Sequence, residues 1–551
     1  MGWTSTTNPV FRSQFSETIF NNKYKHEGAE TWDELARTLA TDVCGGLLPD
    51  DEVAQIAEYI SRMYFIPGGR YLYYAGRPNK FWNNCYLFRS EEDTREDWAN
   101  TAWKHTAALM TGGGTGNDYS VYRPAGAKIA RTGGTASGPM SMIEMINEIG
   151  RRVMQGGSRR SALYASLGHA HPDVHSFIES KDWDNMVLPG SSGTTIGDLK
   201  RADFNYPAPL DMTNISVNYD DDWDPKGEVF RKNVEGALRH GEPGFSFNFG
   251  DKRNETLRNA CTEVTSEDDS DVCNLGSLNF SRIPDIKTLA SVVELATKFL
   301  LCGTIRAQLP FDKIRVTREK NRRLGLGLMG LHEWLIQRGY RYEINDELRD
   351  WLRCYETVSD RTSISAAGTL GTSTPVANRA IAPTGTIGIL AGTTTGIEPI
   401  FAVAYMRRYL KGKDRWHYQY VVDSAAQEMI DRYDVNPYDI ESALDLAEEP
   451  ERRIKFQADV QDYVDMAISS TINLPEWGSP LNNPDTVDNF SATLASYAKR
   501  LRGFTVYPDG ARGGQPLTRV SYLEAHGKQG EEFEVVAHDI CDLNGKGVCG
   551  V

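Results

Sequence analysis

The sequence predicts an α/β fold, and three observations support this prediction. From about Asn83 to Tyr507, short apolar runs alternate with segments of helical periodicity and with glycine-rich loops, a pattern typical of strands and helices that follow one another. No break in composition and no long linker divides this stretch. The 551 residues, 40% hydrophobic and 25% charged, are enough for one large barrel or for several domains.

The chain before and after this stretch has a different character. Residues 1–80 are polar and mostly helical in pattern, and we expect them to cap the domain of residues 81–530 rather than to form a separate enzyme. Residues 531–551 begin with charged residues and end in the glycine-containing segment CDLNGKGVCGV, and this pattern predicts a flexible tail. We find no internal repeat.

Charge and composition narrow the class of protein and its compartment. A net charge of -15 argues against a non-specific nucleic-acid-binding protein, because such a protein needs a basic surface to displace counterions. The start, MGWTSTTNPVFRSQF, lacks the layout of a secretory signal, and no run approaches the length of a membrane span. We therefore expect a cytoplasmic protein with no nucleic-acid or membrane partner.

The cysteines do not have the spacing of a metal site. No CxxC pair and no zinc-finger or zinc-ribbon spacing occurs, and in a reducing cytosol the cysteines are expected to be thiols. We interpret Cys44, Cys302 and Cys354 as small apolar residues of the core. The remaining cysteines are Cys85, Cys261, Cys273, Cys541 and Cys549.

The stretch RNACTEV groups three kinds of reactive side chain. In an extended chain, Asn259, Cys261 and Glu263 point to one face, while Ala260 and Thr262 point to the other. In a helix, Cys261 would face away from its two polar neighbours. An amide, a thiol and a carboxyl therefore come together only if this segment is a strand or an extended loop.

Glycine-rich and histidine-rich segments were considered as binding sites. TGGGTGND and RTGGTASGP do not match the dinucleotide-binding fingerprint and are interpreted as turns, and there is no Walker A loop. In APTGTIGILAGTTTGIEP, the segment Thr384–Gly385–Thr386 offers anion-binding groups at a helix start, with a buried strand and turn as the equal alternative. GHAHPDVHSF contains His169, His171 and His175, but Pro172 and Asp173 favour a helix start over a metal site.

Five segments in one order resemble the catalytic subunit of ribonucleotide reductase: NNCYLF, RNACTEV, VCNLGSLNF, RRLGLGLMGLHEWL and PTGTIGILAGTTTGIEP. The resemblance extends from about Asn83 to Gly510. It implies a ten-stranded α/β barrel with a central finger loop that carries Cys261. It also implies an oxidoreductase that converts ribonucleotides to 2′-deoxyribonucleotides for DNA synthesis.

The resemblance assigns a role to each residue of the opening pattern. Cys261 would carry a thiyl radical that abstracts the 3′ hydrogen of the ribose, while Glu263 acts as general base on the 3′ hydroxyl and Asn259 holds the sugar. Cys85 and Cys273 would protonate the departing 2′ hydroxyl and reduce the sugar, and they would end as a disulfide. The cysteines must then lie on both sides of one ribose.

A second thiol pair is expected to restore the first. Cys541 and Cys549, in the glycine-containing tail, would reduce the Cys85–Cys273 disulfide by exchange and be reduced in turn by a thioredoxin or glutaredoxin-type protein. The alternative interpretation of this pair is a frayed terminus.

The resemblance also places three nucleotide-contacting segments. Thr384, Gly385 and Thr386 would hold the substrate phosphates. Arg123, with Asp93 or its neighbour Glu92, would bind a dNTP or ATP effector at a subunit interface. The expected assembly is a monomer or a homodimer. The effector would act on substrate choice through the MQGGSRRSAL specificity loop, which contains Gly157, Ser158, Arg159 and Arg160. The ATP-binding cone of many relatives is not expected.

The source of the radical has two candidate answers. Reductases with a separate metal-containing, ferritin-like subunit have two adjacent tyrosines late in the barrel, whereas here Tyr507 is followed by Pro508, and the pair Tyr73 and Tyr74 lies near the N-terminus. TVYPDG and SLGHAHPDVHSFIESK resemble the adenosylcobalamin-dependent class II instead. We therefore expect adenosylcobalamin as the source of the radical. The alternative is a metal cofactor in a partner subunit, because NACTEV resembles the two-subunit class.

Two other functions fit the sequence less well. A non-catalytic dNTP-binding protein on the same barrel would not need all three barrel cysteines together with Asn259 and Glu263. A glycyl-radical reductase would need a different C-terminal loop, and VCGV is a poor match. Whether the substrate is a diphosphate or a triphosphate is left open.

Overall fold

The computed structural model describes residues 10–153, 161–203, 206–411, 415–511 and 517–534. The α-helices are α1 (Gln14–Lys23), α2 (Trp32–Cys44), α3 (Asp50–Ser61), α4 (Gly69–Tyr74), α5 (Arg95–Met110), α6 (Pro139–Arg152), α7 (Val174–Glu179), α8 (Ile196–Ala202), α9 (Glu228–His240), α10 (Ile286–Arg306), α11 (Asp312–Asn321), α12 (Leu331–Gln337), α13 (Asp346–Leu370), α14 (Gly385–Ala391), α15 (Ser424–Tyr433), α16 (Ala443–Leu446), α17 (Pro450–Gln461), α18 (Val487–Tyr497) and α19 (Tyr522–Gly527).

The strands complete the alternation that the sequence predicts. They are β1 (Phe65–Pro67), β2 (Cys85–Arg89), β3 (Gly114–Asp118), β4 (Leu163–Gly168), β5 (Thr213–Tyr219), β6 (Gly244–Phe247), β7 (Leu257–Arg258), β8 (Thr265–Ser266), β9 (Asp271–Asn279), β10 (Leu324–Met329), β11 (Ala404–Lys411), β12 (Arg415–Val422), β13 (Thr471–Leu474), β14 (Gly503–Pro508), β15 (Leu517–Arg519) and β16 (Glu532–Glu534).

Nine strands and one short segment form a closed ring. The strands pair in the order β10, β9, β2, β3, β4, β5, β6, β14 and β13. Residues 377–381 fill the remaining position, because Leu326 of β10 bridges Arg379, and Ile381 bridges Ile468 just before β13. The described chain therefore contains the ten-position α/β barrel that the resemblance implies, and that prediction is confirmed.

The ring consists of two parallel halves. Strands β2 to β6 run parallel to one another, and so do β14, β13, residues 377–381, β10 and β9. The halves meet at two antiparallel pairs, β6 with β14 and β9 with β2. The second of these junctions brings Cys85 opposite Cys273.

Local sequence signals begin and end the helices around the ring. Asp285 accepts a hydrogen bond from Thr288 N at the start of α10, and Asn345 accepts one from Leu348 N at the start of α13. These side chains satisfy backbone N–H groups that have no partner within the helix. Helix α13 ends at Gly371, whose φ of 66° is readily adopted by glycine.

The N-terminal helices share a core with half of the barrel. Trp32, Leu39 and Val43 of α2 belong to the same buried cluster as Leu300 of α10 and Leu326 of β10. Helix α10 is long and apolar enough to cross a membrane, and 67% of this stretch is buried within the protein. The expectation that no run has this length and composition is therefore wrong, and the packing of α10 against α2, α3 and α13 accounts for its apolar character.

A small second sheet lies beside the barrel. It has the order β15, β11, β12, β16, and β16 pairs antiparallel with β12. Residues 532–534, which the sequence analysis includes in the predicted tail, therefore belong to this sheet.

Candidate active site

A hairpin inside the ring carries the RNACTEV stretch. Strands β7 and β8 pair antiparallel, and the turn between them contacts strands on several sides of the barrel. Asn214 Nδ2 of β5 donates to Ala260 O at 3.0 Å, and Ala467 N donates to Glu263 O at 2.8 Å. These contacts come from separate parts of the ring and place the hairpin inside it, as the resemblance implies for the finger loop.

Two glycines of β3 allow the hairpin to lie this close to the barrel wall. A Cβ atom at Gly116 would lie 1.9 Å from Arg258 O, and one at Gly114 would lie 2.9 Å from Ala260 Cβ. TGGGTGND is thus only partly a turn. Gly112, with a φ of 93°, precedes β3, and the two glycines of β3 are explained by the close approach of another backbone.

The turn is tight rather than extended. Thr262 N donates to Asn259 O at 3.0 Å, and Thr262 has a φ of 72°. The alternation that placed Asn259, Cys261 and Glu263 on one face is therefore wrong, because β7 and β8 have two residues each and the chain must reverse between them. Cys261 is exposed in this turn, whereas Asn259 and Glu263 are each 1% exposed.

Asn259 and Glu263 meet at Cys85 of β2. Asn259 Nδ2 donates to Cys85 Sγ at 3.0 Å, and the Cys85 thiol donates to Glu263 Oε1 at 3.8 Å. Asn259 also fixes the turn, because its Oδ1 accepts from Val264 N at 2.9 Å. The Asn259 amide and the Glu263 carboxyl thus come together at the thiol of Cys85, which belongs to a strand distant in sequence.

Cys85 and Cys273 are opposite one another in the antiparallel pair of β2 and β9. Directly opposed residues in such a pair have Cα atoms about 4.5–5.5 Å apart, which lies within the range of a disulfide. Both residues are free thiols in the structure. The structure thus brings together two of the three predicted barrel cysteines as a pair able to form a disulfide.

Burial controls the protonation of this cluster. Burial raises the pKa of Glu263 to about 7, although hydrogen bonds from Asn259 and Cys85 oppose the shift. Within the described residues, Glu263 Oε2 has no hydrogen-bond partner. Burial also raises the pKa of Cys85 and of Cys273 well above the ordinary value. Near neutral pH, the site therefore holds two thiols and a carboxyl able to give or take a proton.

Buried polar residues at the base of the hairpin hold it in place, and the sequence did not predict them. Arg258 donates to Asn248 Oδ1 at 2.8 Å and to Arg502 O at 3.1 Å, and Arg502 pairs with Glu255 at 2.9 Å. Burial lowers the pKa of Arg258 to about 9, so the guanidinium is mostly charged at neutral pH. Arg258 lies within the RNACTEV stretch, but its partners Asn248 and Arg502 lie outside that stretch, 10 and 244 residues away.

The Thr384 segment begins a helix and is not a buried strand, and its role in anion binding stays a prediction. Thr384 precedes α14 with a φ of 50°, and its Oγ1 accepts from Gly396 N at 2.8 Å. Gly385 is exposed, and Thr386 is partly exposed. The backbone N–H groups at the start of α14 therefore lie in a segment that solvent can reach.

The opposite end of α14 is held by the N-terminal region. Ser16 Oγ donates to Ile389 O at 2.6 Å, and Arg282 donates to Ala391 O at 2.8 Å. Arg12 donates to Gly392 O at 3.3 Å and pairs with the buried Glu333. Arg12 and Ser16 of the N-terminal region, together with Arg282, therefore position the helix that begins at Thr384.

The predicted effector residues are partly brought together. Arg123 N donates to Asp93 Oδ2 at 3.1 Å, and the Arg123 side chain pairs with Asp93. Glu92 is exposed, and its backbone N–H donates to Asp97. Asp93 is therefore the acidic neighbour of Arg123. The specificity loop residues Gly157, Ser158, Arg159 and Arg160, and the tail cysteines Cys541 and Cys549, lie outside the described residues.

The remaining predicted residues lie at separate places. Tyr507 is half-buried in β14, opposite Asn473 of β13. Tyr73 and Tyr74 make an edge-to-face contact in α4. No group of three possible metal ligands occurs among the described residues, and the histidines have other partners: His169 contacts Asp220, and His171 accepts from Asp173 N just before α7.

Known proteins similar to the chain point to one family. The family model "Ribonucleotide reductase, barrel domain" matches residues 83–190, 228–368 and 376–507, more than half of the chain. A vitamin B12-dependent ribonucleoside-diphosphate reductase of Mycobacterium tuberculosis is 29% identical over 515 residues, with 84% of this chain and 73% of that protein covered. A protein of the same name from Thermoplasma acidophilum is 27% identical over 541 residues, with 88% and 68% covered.

A solved structure supports the fold. The chain matches the class Id ribonucleotide reductase alpha subunit of Actinobacillus ureae with a TM-score of 0.71 and 16% identity, covering 92% of this chain and 99% of that one.

Proposed function

The chain belongs to the ribonucleotide reductase family, it reduces ribonucleotides to 2′-deoxyribonucleotides, and we propose that Cys261 carries the radical and that adenosylcobalamin supplies it. The observation that carries the assignment of residues is the hairpin itself. It presents an exposed Cys261 at the centre of the barrel and holds Asn259 and Glu263 against Cys85, with Cys273 opposite.

Cys261 abstracts the 3′ hydrogen of the bound ribose. Glu263 accepts the 3′ hydroxyl proton, and a pKa of about 7 suits this exchange because the carboxyl is partly ionised near neutral pH. Asn259 positions the sugar with its side-chain amide. Its Oδ1 is already bound by Val264 N, so the amide is oriented before the substrate arrives.

Cys85 and Cys273 supply the reducing equivalents. Their raised pKa values keep both as thiols, which is the form needed to protonate a departing 2′ hydroxyl. Loss of two protons and two electrons from the pair yields the disulfide, and the opposed positions of the two residues in β2 and β9 support this product.

Nucleotide binding uses the two further segments. Thr384, Gly385 and Thr386 hold the substrate phosphates through the first N–H groups of α14. Arg123 and Asp93 form the site of a dNTP or ATP effector, and residues 157–160 relay its identity to the substrate site. Cys541 and Cys549 reduce the barrel disulfide and are reduced by a thioredoxin or glutaredoxin-type protein.

Adenosylcobalamin fits the exposure of the reactive thiol. When bound, it supplies the radical that takes the hydrogen atom from the Cys261 thiol. Cys261 is exposed, unlike Asn259 and Glu263, and an external group can reach only an accessible thiol. Tyr507 is followed by Pro508 rather than by a second tyrosine. The names of the two bacterial and archaeal relatives, which are vitamin B12-dependent, support the same choice.

An anaerobic assay of the purified chain tests this proposal. CDP and CTP are each supplied with a dithiol, an effector mixture, and either adenosylcobalamin or buffer alone. We expect a deoxynucleotide product only with adenosylcobalamin, and the preferred substrate identifies the phosphate number. No product with adenosylcobalamin, together with turnover on addition of a ferritin-like metal-containing subunit, would replace this radical source with the alternative.

A further inference from the structure

The two cysteines of the redox pair differ in what surrounds their sulfur atoms. Cys85 Sγ accepts a hydrogen bond from Asn259 Nδ2 at 3.0 Å and lies 3.8 Å from Glu263 Oε1. An amide N–H stabilises negative charge on sulfur, and a carboxyl that is protonated can pass a proton to it. Burial and the charges of Glu263, Cys273 and Cys261 raise the pKa of Cys85, and the hydrogen bond from Asn259 opposes them, so a transient thiolate at Cys85 has an N–H donor to stabilise it.

Cys273 lacks both features. Its thiol donates to Asn274 O at 3.4 Å, so the sulfur faces an acceptor rather than a donor. Burial, and then the carboxylates of Asp271, Glu263 and Asp465, raise the pKa of Cys273, and Arg323 opposes them. The opposing effect is limited, because Arg323 is paired with Asp271 at 2.6 Å. A thiolate at Cys273 is thus less favoured than one at Cys85.

We propose that the Cys85–Cys273 disulfide is opened with a fixed polarity: the incoming thiolate attacks Cys273 Sγ, Cys85 leaves, and Glu263 protonates it. This inference rests on the proposed function of the pair. Accessibility does not choose between the two sulfurs, since Cys85 is 3% exposed and Cys273 is 0% exposed. The stability of the leaving thiolate therefore decides.

The steps balance for a dithiol reductant. A bond forms between the reductant sulfur and Cys273 Sγ, the bond between the two Sγ atoms breaks, and its electron pair passes to Cys85 Sγ with a proton from Glu263. The second reductant thiolate then attacks the first reductant sulfur and releases Cys273, which takes a proton. The dithiol becomes a disulfide, its two protons replace those used, and Cys85 and Cys273 are again thiols.

The test uses the full chain with Cys261→Ser, Cys541→Ser and Cys549→Ser, so that no other proposed redox thiol competes. Diamide oxidation should give a Cys85–Cys273 disulfide, detected by peptide mass spectrometry. Brief treatment with the monothiol glutathione, an acid quench and alkylation with iodoacetamide after unfolding then mark the two sulfurs differently. We expect glutathione on Cys273 and the alkyl group on Cys85.

Glu263→Gln in the same background tests the proton donor. The rate of glutathione attack at pH 6.5 should fall at least about 10²-fold, the lower end of the usual range for loss of a general acid. Glu267→Gln is the matched control, because Glu267 is exposed on the same segment, and it should leave the rate unchanged.

The outcomes separate this inference from the function on which it rests. Failure to form the Cys85–Cys273 disulfide would refute the proposed function of the pair. If the disulfide opens with glutathione on Cys85, or on both cysteines equally, the proposed polarity is wrong. The proposed function of the pair would still hold. An unchanged rate for Glu263→Gln would remove Glu263 as the proton donor.

Discussion

Glu263→Gln should make the enzyme nearly inactive and, at high pH, more stable. The folded chain raises the pKa of Glu263 from its ordinary 4.5 to about 7 through burial, and at about 1.4 kcal/mol per pH unit this difference corresponds to about 3 kcal/mol. Below about pH 4.5 the carboxyl is protonated in both folded and unfolded chains. Between about 4.5 and 7 only the folded chain keeps the proton, so stability falls as pH rises.

The measurement is the free energy of unfolding in urea at pH 4.5 and pH 8.5. The wild type should lose up to about 3 kcal/mol more than Glu263→Gln between these values, because glutamine has no charge to bury. Turnover of the wild type should rise with pH through about 7 as the base ionises. Turnover of the variant should be lower by about 10²–10⁴-fold, the usual contribution of a general base.

Glu267→Gln provides the control, since the same substitution at an exposed carboxyl should change neither quantity. Equal pH dependence of stability in the wild type and Glu263→Gln would refute the argument that burial perturbs this carboxyl. Near-normal turnover in Glu263→Gln would refute its role as the base.

Three further predictions follow from other parts of the molecule. Gly116→Ala should cost about 1–3 kcal/mol of stability and lower turnover, because the new Cβ would lie 1.9 Å from Arg258 O; an unchanged unfolding midpoint would contradict the close packing of the hairpin. The double change Cys541→Ser and Cys549→Ser should stop turnover driven by thioredoxin while sparing much of that driven by a small dithiol, and equal thioredoxin-driven rates would exclude the tail as relay. Arg123→Ala should weaken effector binding, measured by calorimetry, and flatten substrate choice through loss of a charge-assisted contact to phosphate; unchanged affinity would place the effector elsewhere.

The barrel was predictable because its strands and loops have local signals. Alternating apolar runs and glycine-rich loops predict the α/β class, and the resemblance adds the number of strands. The closure of the ring by residues 377–381 was not predictable from pattern. Its bonds to Leu326 and Ala467 join segments that are distant in sequence, and no regular strand marks the position.

The sequence could predict which residues form the site, but it could not predict how they are arranged in space. The residues of RNACTEV were identified, yet the strand alternation that grouped Asn259, Cys261 and Glu263 fails because the chain reverses at Thr262. Their meeting point, Cys85, is set by the register of β2 and β9. Such a register depends on the whole barrel, so a short stretch cannot reveal it.

The supporting residues were missed for the same reason. Arg258 and Arg502 are fixed through buried contacts between distant segments, and Ser16 reaches α14 across more than 370 residues of sequence. Neither residue has a local signal: Arg258 stands in the polar stretch NETLRNACTEV, where a charged side chain is ordinary, and the partner of Ser16 is a backbone carbonyl.

The central claim is that Cys261 carries the radical, and Cys261→Ser tests it most directly. The O–H bond of serine is too strong for a comparable radical carrier, and the exposed turn position should accept the smaller side chain without disturbing nucleotide binding. Deoxynucleotide formation is measured beside the affinity for substrate in the same preparation. We predict no detectable product and an affinity close to that of the wild type, whereas measurable turnover by Cys261→Ser would contradict the account.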